Sequence, residues 1–384
     1  VRVLIAPDKF KGSLSGMEAA KAMAAGVHDI LPGAQLTQLP VADGGEGTLE
    51  AVLVSGGIRH TACVQNPLGA PVIAEWALLG STAVIESARA SGLAHIYPTL
   101  ESAGNSHSFG TGQLIVEALN AGATEIVVGL GGSAMTDGGS GALRALGLRV
   151  LDIHGTDIPM GGAHLTSAAS LIVDGVDHRL RRTPLRLAVD VNNPLHGPDG
   201  AAHVFGAQKG ADTRVRADLD AGLRHWANLL RDSTGIDVQS PGAGAAGGFP
   251  AAFMALAGAT LERGFDVVAE VLDLQAAIES ADLVLTGEGS LDEQSRFGKA
   301  PMGVADRSHA LGLPVVAIAG RIRLIAEELA SHGIVAFGSV ENVAPSSEAG
   351  FIEAATYARQ ATRDALSGLN LRTTAAQPGP AIRT

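Results

Sequence analysis

The sequence predicts an α/β protein of two domains, and three observations carry that prediction. The length, 384 residues, exceeds what one core usually serves. Apolar runs alternate with amphipathic segments at both ends of the chain, the β-α-β-α order of a parallel sheet covered on both faces. Between the ends, three strand-like runs follow one another with no helix between them, as in a meander. The expected architecture is therefore a Rossmann-like domain built from both chain ends, with a second, mixed α/β domain inserted and the active site in the cleft between them.

The elements follow in order. Residues 1–6 are short, apolar and closed by Pro7-Asp8, which reads as a buried strand. Ser15 and Glu18 have capping-box spacing and open a helix through Ala19, Ala20, Met23 and Val27, stopped at Leu31-Pro32-Gly33. A second strand is expected over 35–40 and a second helix over 48–54. Runs 59–65, 71–79 and 82–86, joined at Asn66-Pro67-Leu68-Gly69 and Gly80-Ser81, form the meander and put a boundary near 57. A helix over about 111–121 ends at Gly122, and the strand 124–130 follows. A long surface helix is expected over 212–232 and a short apolar one over 250–258. From Asp282 the alternation returns: strand, helix 299–311, strand 314–320, helix 322–332, strand 334–340, helix 348–367. The expected domains are 1–57 with 265–370, and 58–264. The tail 371–384, with Gln377-Pro378-Gly379-Pro380, is expected to be disordered.

Composition narrows the partners. Hydrophobic residues make up 46% and charged residues 17% of the chain, a globular balance. Aromatic residues are only 3%, so the core is built from Ala, Val, Leu and Ile. The net charge is −12 and no basic run exceeds RLRR at 179–182, which argues against nucleic acid. The single cysteine, Cys63, allows no intramolecular disulfide; it reads as a small core residue of a strand and fits a cytoplasmic setting. No signal-peptide pattern and no apolar run of about 20 residues is present, so no membrane partner is expected. The 12 histidines lack metal-ligand spacing. Oligomeric state stays open, a homodimer being one option.

The chemistry concentrates in glycine-rich loops. Glycines number 50 of 384 residues, nearly twice the typical ~7%. They cluster in VADGGEGT at 41–48, GLGGSAMTDGGSG at 129–141, SPGAGAAGG at 240–248 and TGEGSLDEQ at 286–294. Glycine lets several backbone N–H groups face one ligand, which suits phosphate, and neighbouring carboxylates suit magnesium or a general base. Gly131, Gly132 and Ser133, directly after an apolar strand, are the favoured phosphate contacts. Asp137 is a candidate metal ligand, with helix capping as the alternative. Asp43 and Glu46 form a second acidic pair, for which capping and the helix dipole are again alternatives. Gly287, Glu288 and Gly289 end a strand, where open α/β sheets bind ligands; Asp292 follows, and Lys299 opens the next helix. Lys9 and Lys11, with Ser13, end the first strand and suit an anion. Asp190, within an apolar run and followed by Asn192, suits a general base for a hydroxyl; a turn-forming Asp is its alternative. No Walker A motif occurs. The GxGxxG spacing at 242–247 follows no convincing strand, which disfavours a dinucleotide site.

The motifs APDKFKGSLS, VADGGEGT, GLGGSAMTDGG, DVNNPLHGPDGA, FGAQKGA, PGAGAAGG and TGEGSLDEQSRFGKAP occur in one order. Together they resemble the bacterial glycerate kinase family of the glycerate 2-kinase type, a non-P-loop family, over residues 2 to about 365. The resemblance implies phosphorylation of D-glycerate by ATP with Mg²⁺, giving 2-phosphoglycerate. It carries over onto Lys11, Asp43, Glu46, residues 131–133, Asp137, Asp190, Asn192, Glu288, Asp292 and Lys299. On that reading Lys11 pairs with the glycerate carboxylate, and Asp190 positions or deprotonates the hydroxyl. Lys299 and the glycine loops hold the ATP phosphates, and Glu288 or Asp292 holds Mg²⁺. Met135 and Arg296-Phe297 depart from the expected pattern. The 3-hydroxyl product, a different hydroxy acid, a ligand-binding regulator and a nicotinamide dehydrogenase are the competing readings.

Overall fold

A computed structural model describes residues 1–293, 295 and 299–369. The departure at Arg296-Phe297 and the tail expected over 371–384 lie outside the described residues. The chain divides into two compact units, one of residues 1–40 with 274–384 and one of residues 41–273.

The first unit opens with β1 (Arg2–Pro7) and β2 (Gln35–Gln38), joined through the helix Gly16–Ile30. The capping box at its start is formed: Glu18 N–H donates to Ser15 Oγ, and Ser15 N–H to the Glu18 carboxylate.

The second unit carries β3 (Ile58–Gln65), β4 (Pro71–Leu79), β5 (Thr82–Glu86), β6 (Glu125–Gly129), β7 (Arg149–Leu151), β8 (Ser170–Ile172), β9 (Leu185–Val189) and β10 (Thr260–Arg263). Six of them form a sheet in the order β10-β9-β6-β5-β4-β3. The meander β3-β4-β5 is antiparallel, and β5, β6, β9 and β10 run parallel. Its core is aliphatic, with Trp76, Trp226, Phe249 and Phe253 as the large buried side chains. Cys63 is exposed, contrary to the core position expected of it. On the alternating strand β3 it lies on the face opposite buried Val64.

The chain then returns to the first unit with β11 (Leu283–Gly287), β12 (Ser290–Leu291), β13 (Val315–Ala319), β14 (Arg321–Ile322) and β15 (Ile334–Ser339). The main sheet is all parallel, in the order β15-β13-β11-β1-β2. Counted within the unit this is the 2-1-3-4-5 order of a flavodoxin-like sheet, with its topological switch point between β1 and β11. Their last residues, Pro7 and Gly287, are in register. The loops leaving both strands therefore start side by side.

Three expectations shift. The unit boundary lies at 40/41, not near 57. The helix Thr48–Val54 starts on the Glu86 carboxylate, which accepts from Gly47 N–H at 3.1 Å and Leu49 N–H at 2.8 Å, so it belongs with β5. The far boundary lies at 273/274 rather than 264/265. The helix expected from 322 begins at Ala326, because Arg321 and Ile322 pair with Ser290 and Leu291. No helix among the described residues is long and apolar enough to cross a membrane.

Gly129, at the end of β6, sits where a Cβ would overlap the Gly44 carbonyl oxygen. Gly129→Ala is expected to destabilise the protein by about 1–3 kcal/mol, the usual cost of overpacking. Urea denaturation reads this, and an unchanged midpoint would contradict the close approach.

Candidate active site

In the second unit a cavity of about 390 Å³ lies at the C-terminal ends of β6 and β9. Gly131, Gly132 and Ser133 line it after β6, Asp190 and Val191 after β9, and Ala245 and Ala246 at the kinked start of the helix Ala245–Ala257. Leu93, Leu130 and Phe205 supply apolar wall, and Lys209 completes it.

The loop after β6 is held from three sides. Leu93 N–H donates to the Gly132 carbonyl at 2.9 Å, and Ala134 N–H to the Ser91 carbonyl at 2.9 Å. Asp137, with no exposed surface, accepts from Ser108 N–H (2.9 Å), Ser108 Oγ (2.8 Å), Gly139 N–H (3.2 Å) and Gly141 N–H (3.1 Å). From the third side, Gly138 N–H donates to the Gly247 carbonyl at 3.1 Å. The backbones approach so closely that a Cβ on Gly247 would overlap the Met135 carbonyl oxygen. Gly247 and Gly248 are left-handed (φ 69° and 86°), which glycine adopts without strain, and Ala246 before them is left-handed too (φ 47°), an uncommon conformation for a non-glycine residue. No described strand directly precedes this GxGxxG segment, so the context of a dinucleotide fingerprint is missing.

Asp137 does not fit the metal role expected for it. Both carboxylate oxygens are committed to protein donors, two from Ser108 and two from the backbone of its own loop at Gly139 and Gly141, and the capping alternative describes it. Met135 also has a plain account: its side chain is fully buried, and its carbonyl oxygen accepts from Lys209 Nζ at 2.6 Å. Asp190 is exposed despite the apolar run that precedes it, and its Oδ1 accepts from Gly264 N–H at 3.3 Å. A Cβ on Gly264 would overlap the Asp43 carbonyl oxygen and lie 3.0 Å from Asp190 Oδ1. The Asp43 loop and Asp190 thus meet on Gly264. Asp43 is half-buried, its Oδ1 accepting from Gly45 N–H at 3.3 Å, while Glu46 and Asn192 are exposed.

In the first unit, the loops from β1 and β11 meet at the switch point. Lys11, Ser13, Gly289, Gly320, Arg321 and Phe351 line a cavity of about 250 Å³. Glu288 is buried and accepts from Ser295 Oγ at 2.5 Å. Ser295 Oγ in turn accepts from Asp292 N–H at 3.1 Å, so one hydroxyl ties the two acidic residues together. Lys299 is half-buried at the N-cap of the helix Ala300–Ala310. Gly287 is a packing position: it is the buried end of β11, and its carbonyl accepts from Asp8 N–H at 2.8 Å. Lys9 is half-buried, its Nζ 3.9 Å from the Asp8 carboxylate. Among the described residues, no three His, Cys, Asp or Glu side chains converge on a point that could hold a metal.

Sequence reasoning missed Lys209, Asp8 and Arg321. Lys209 is 2% exposed and Asp8 6% exposed, and burial of a charged side chain is not written in local sequence. The only signal was position: Asp8 closes a strand, and Lys209 sits in the FGAQKGA segment.

Parallel strands that end in glycine loops, with lysines and carboxylates beside them, define an α/β protein whose candidate sites lie at the strand ends. The sequence pattern of the glycerate kinase family matches residues 3–369. A glycerate kinase of Bacillus subtilis (strain 168) is 42% identical over 379 residues, 97% of this chain and 99% of its own. A glycerate 2-kinase of Escherichia coli (strain K12) is 44% identical over 345 residues, 88% of this chain and 90% of its own. The crystal structure of a protein assigned as glycerate kinase 2 from Salmonella typhimurium LT2 superposes with a TM-score of 0.85 at 40% identity, covering 96% of this chain and 97% of that one. The chain belongs to the glycerate kinase family.

Burial pushes the Lys209 ammonium down from 10.5 to about 8, with the Asp137 charge acting against that fall. Between those two values an unfolded lysine holds a proton that the folded one has released. Stability therefore rises with pH across that window and is lost as pH falls through about 8. The unfolding free energy of the wild type relative to Lys209→Met is expected to grow from about pH 8 to about pH 10.5. A difference that stays flat in urea titrations over that range would contradict the burial of this charge.

Proposed function

We propose that this chain transfers the γ-phosphoryl group of ATP to the 2-hydroxyl of D-glycerate, giving 2-phosphoglycerate, in the cytoplasm. The observation that carries the reading is the cavity of about 390 Å³ that Gly131, Gly132 and Ser133 line together with Asp190. Membership of the glycerate kinase family supports it, as does the 44% identity to a protein named glycerate 2-kinase.

In this reading the backbone of Gly131 and Gly132 and the Ser133 hydroxyl hold phosphate oxygens. Leu93, Leu130 and Phe205 face the less polar part of the nucleotide. Asp190 orients the glycerate hydroxyl and takes its proton as the oxygen attacks the γ-phosphorus and ADP leaves. Asp43 orders the loop that packs beside Asp190 on Gly264. Glu46 and Asn192, both exposed, meet the substrate hydroxyls. Lys11 and Ser13, joined by Arg321, suit the glycerate carboxylate; Lys9 adds positive charge to the same loop. Lys299, with the Gly289 backbone, offsets phosphate charge.

Glu288 and Asp292 are the residues that would hold Mg²⁺. They fit because Mg²⁺ takes only one or two carboxylates and completes its shell with water and phosphate oxygens. Bound there, it would neutralise charge on the transferring phosphate. Most of the rate enhancement in such a reaction comes from positioning and charge stabilisation.

Incubation with ATP, Mg²⁺ and D-glycerate is expected to place a new phosphate on C2, read by ³¹P and ¹³C NMR. A C3 signal would keep the kinase and reverse the regiochemistry, and no phosphoglycerate from folded protein would sink the reading. Asp190→Asn is expected to lower kcat by about 10²-fold, within the range of general-base catalysis. A kcat within a few-fold of wild type would remove Asp190 from that role.

A further inference from the structure

One buried cation in the second unit has no part in the chemistry above. The Lys209 side chain is 2% exposed, yet it borders the cavity of Gly131, Ser133 and Asp190. Its ammonium donates to the Met135 carbonyl at 2.6 Å and reaches Ser133 Oγ at 3.4 Å. An ammonium carries three donors. The described residues supply two acceptors, both neutral, and no carboxylate within ion-pair distance. Burying a cation without a counter-ion is costly, and a carbonyl and a hydroxyl need no full charge to satisfy them. The arrangement is that of a cation waiting for an anion from outside.

The cavity narrows what that anion is. Its volume, about 390 Å³, is well beyond the size of a three-carbon acid and lies in the usual range for ligand pockets of roughly 300–1,000 Å³. Leu93, Leu130 and Phe205 give it an apolar wall suited to a base and ribose. The exposed backbone of Gly131 and Gly132 lies beside Ser133, the residue that Lys209 touches. Phosphates on that loop would bring their charge to the ammonium.

We infer that Lys209 is the counter-ion for the phosphates of the nucleoside triphosphate, held in place by the Met135 carbonyl and acting together with Ser133. This rests on the kinase reading proposed above. It adds to that reading a residue without which the cavity holds adenosine but grips the triphosphate poorly. Other charged groups near Lys209 are Asp137, already saturated with donors, and Asp190 across the cavity. Neither is cationic, so nothing else described in this wall replaces the charge.

Isothermal titration of ATP into full-length wild type and Lys209→Met at pH 7 tests the inference, with D-glycerate turnover of the wild type as the control. Loss of a charge-assisted hydrogen bond predicts an ATP affinity weaker by roughly 10- to 100-fold. The KM for ATP is expected to rise far more than the KM for D-glycerate. A folded Lys209→Met that binds ATP within two-fold of wild type, while the wild type turns over glycerate, would overturn this inference alone. A wild type that neither binds ATP nor forms phosphoglycerate would overturn the kinase reading and this inference with it. A second measurement needs no variant. ATP affinity of the wild type is expected to fall as pH rises through about 8, where the free ammonium loses its proton. His107 beside Asp137 is already neutral there, because burial lowers its pKa. A flat affinity across that range would count against Lys209.

Discussion

The Asp137 carboxylate, sealed from solvent, determines the shape of the loop that follows β6. Four donors converge on it, two from Ser108 and two from the backbone of Gly139 and Gly141. Each would cost roughly 1–3 kcal/mol if left unsatisfied in the interior, so together they rival the whole stability margin of a typical domain, about 5–15 kcal/mol. The loop has little freedom to relax. That rigidity presents the Met135 carbonyl to Lys209 and leaves Gly131 and Gly132 bare to the cavity.

The chain as a whole is acidic, with a net charge of −12, so its proposed anion sites are local constructions. In the second unit the means are backbone N–H groups and one desolvated lysine. In the first they are the crevice at the switch point, with Lys11 and Arg321 on the cavity wall and Lys9 alongside. The two units solve the same electrostatic problem differently. A low-dielectric lysine interacts strongly with one phosphate, whereas lysines still in contact with solvent at a strand end interact weakly and suit a substrate that must leave.

Much of the fold was legible because it depends on local spacing. The Ser15/Glu18 capping box, the helix Thr48–Val54 and the β3-β4-β5 meander follow from side-chain chemistry within a few residues. The boundary between units did not, because the partner that seats the helix Thr48–Val54, Glu86, lies 39 residues from Gly47. The site was legible at the level of loops and less so at the level of roles. Asp137 and Asp190 carry the same side chain in loops that follow strands, yet one is saturated inside and the other lines the cavity; only tertiary packing separates them. Lys209 lies between Gln208 and Gly210 with nothing local to mark it as buried, and its hydrogen-bond partners are residues 133 and 135, more than 70 positions upstream.

The most direct test of the account is a crystal structure with the non-hydrolysable β,γ-imido analogue of ATP. Phosphate oxygens are expected within hydrogen-bond reach of Lys209 Nζ and Ser133 Oγ, with the base against Leu93, Leu130 or Phe205. An analogue bound elsewhere on the chain, with that cavity filled only by solvent, would contradict it.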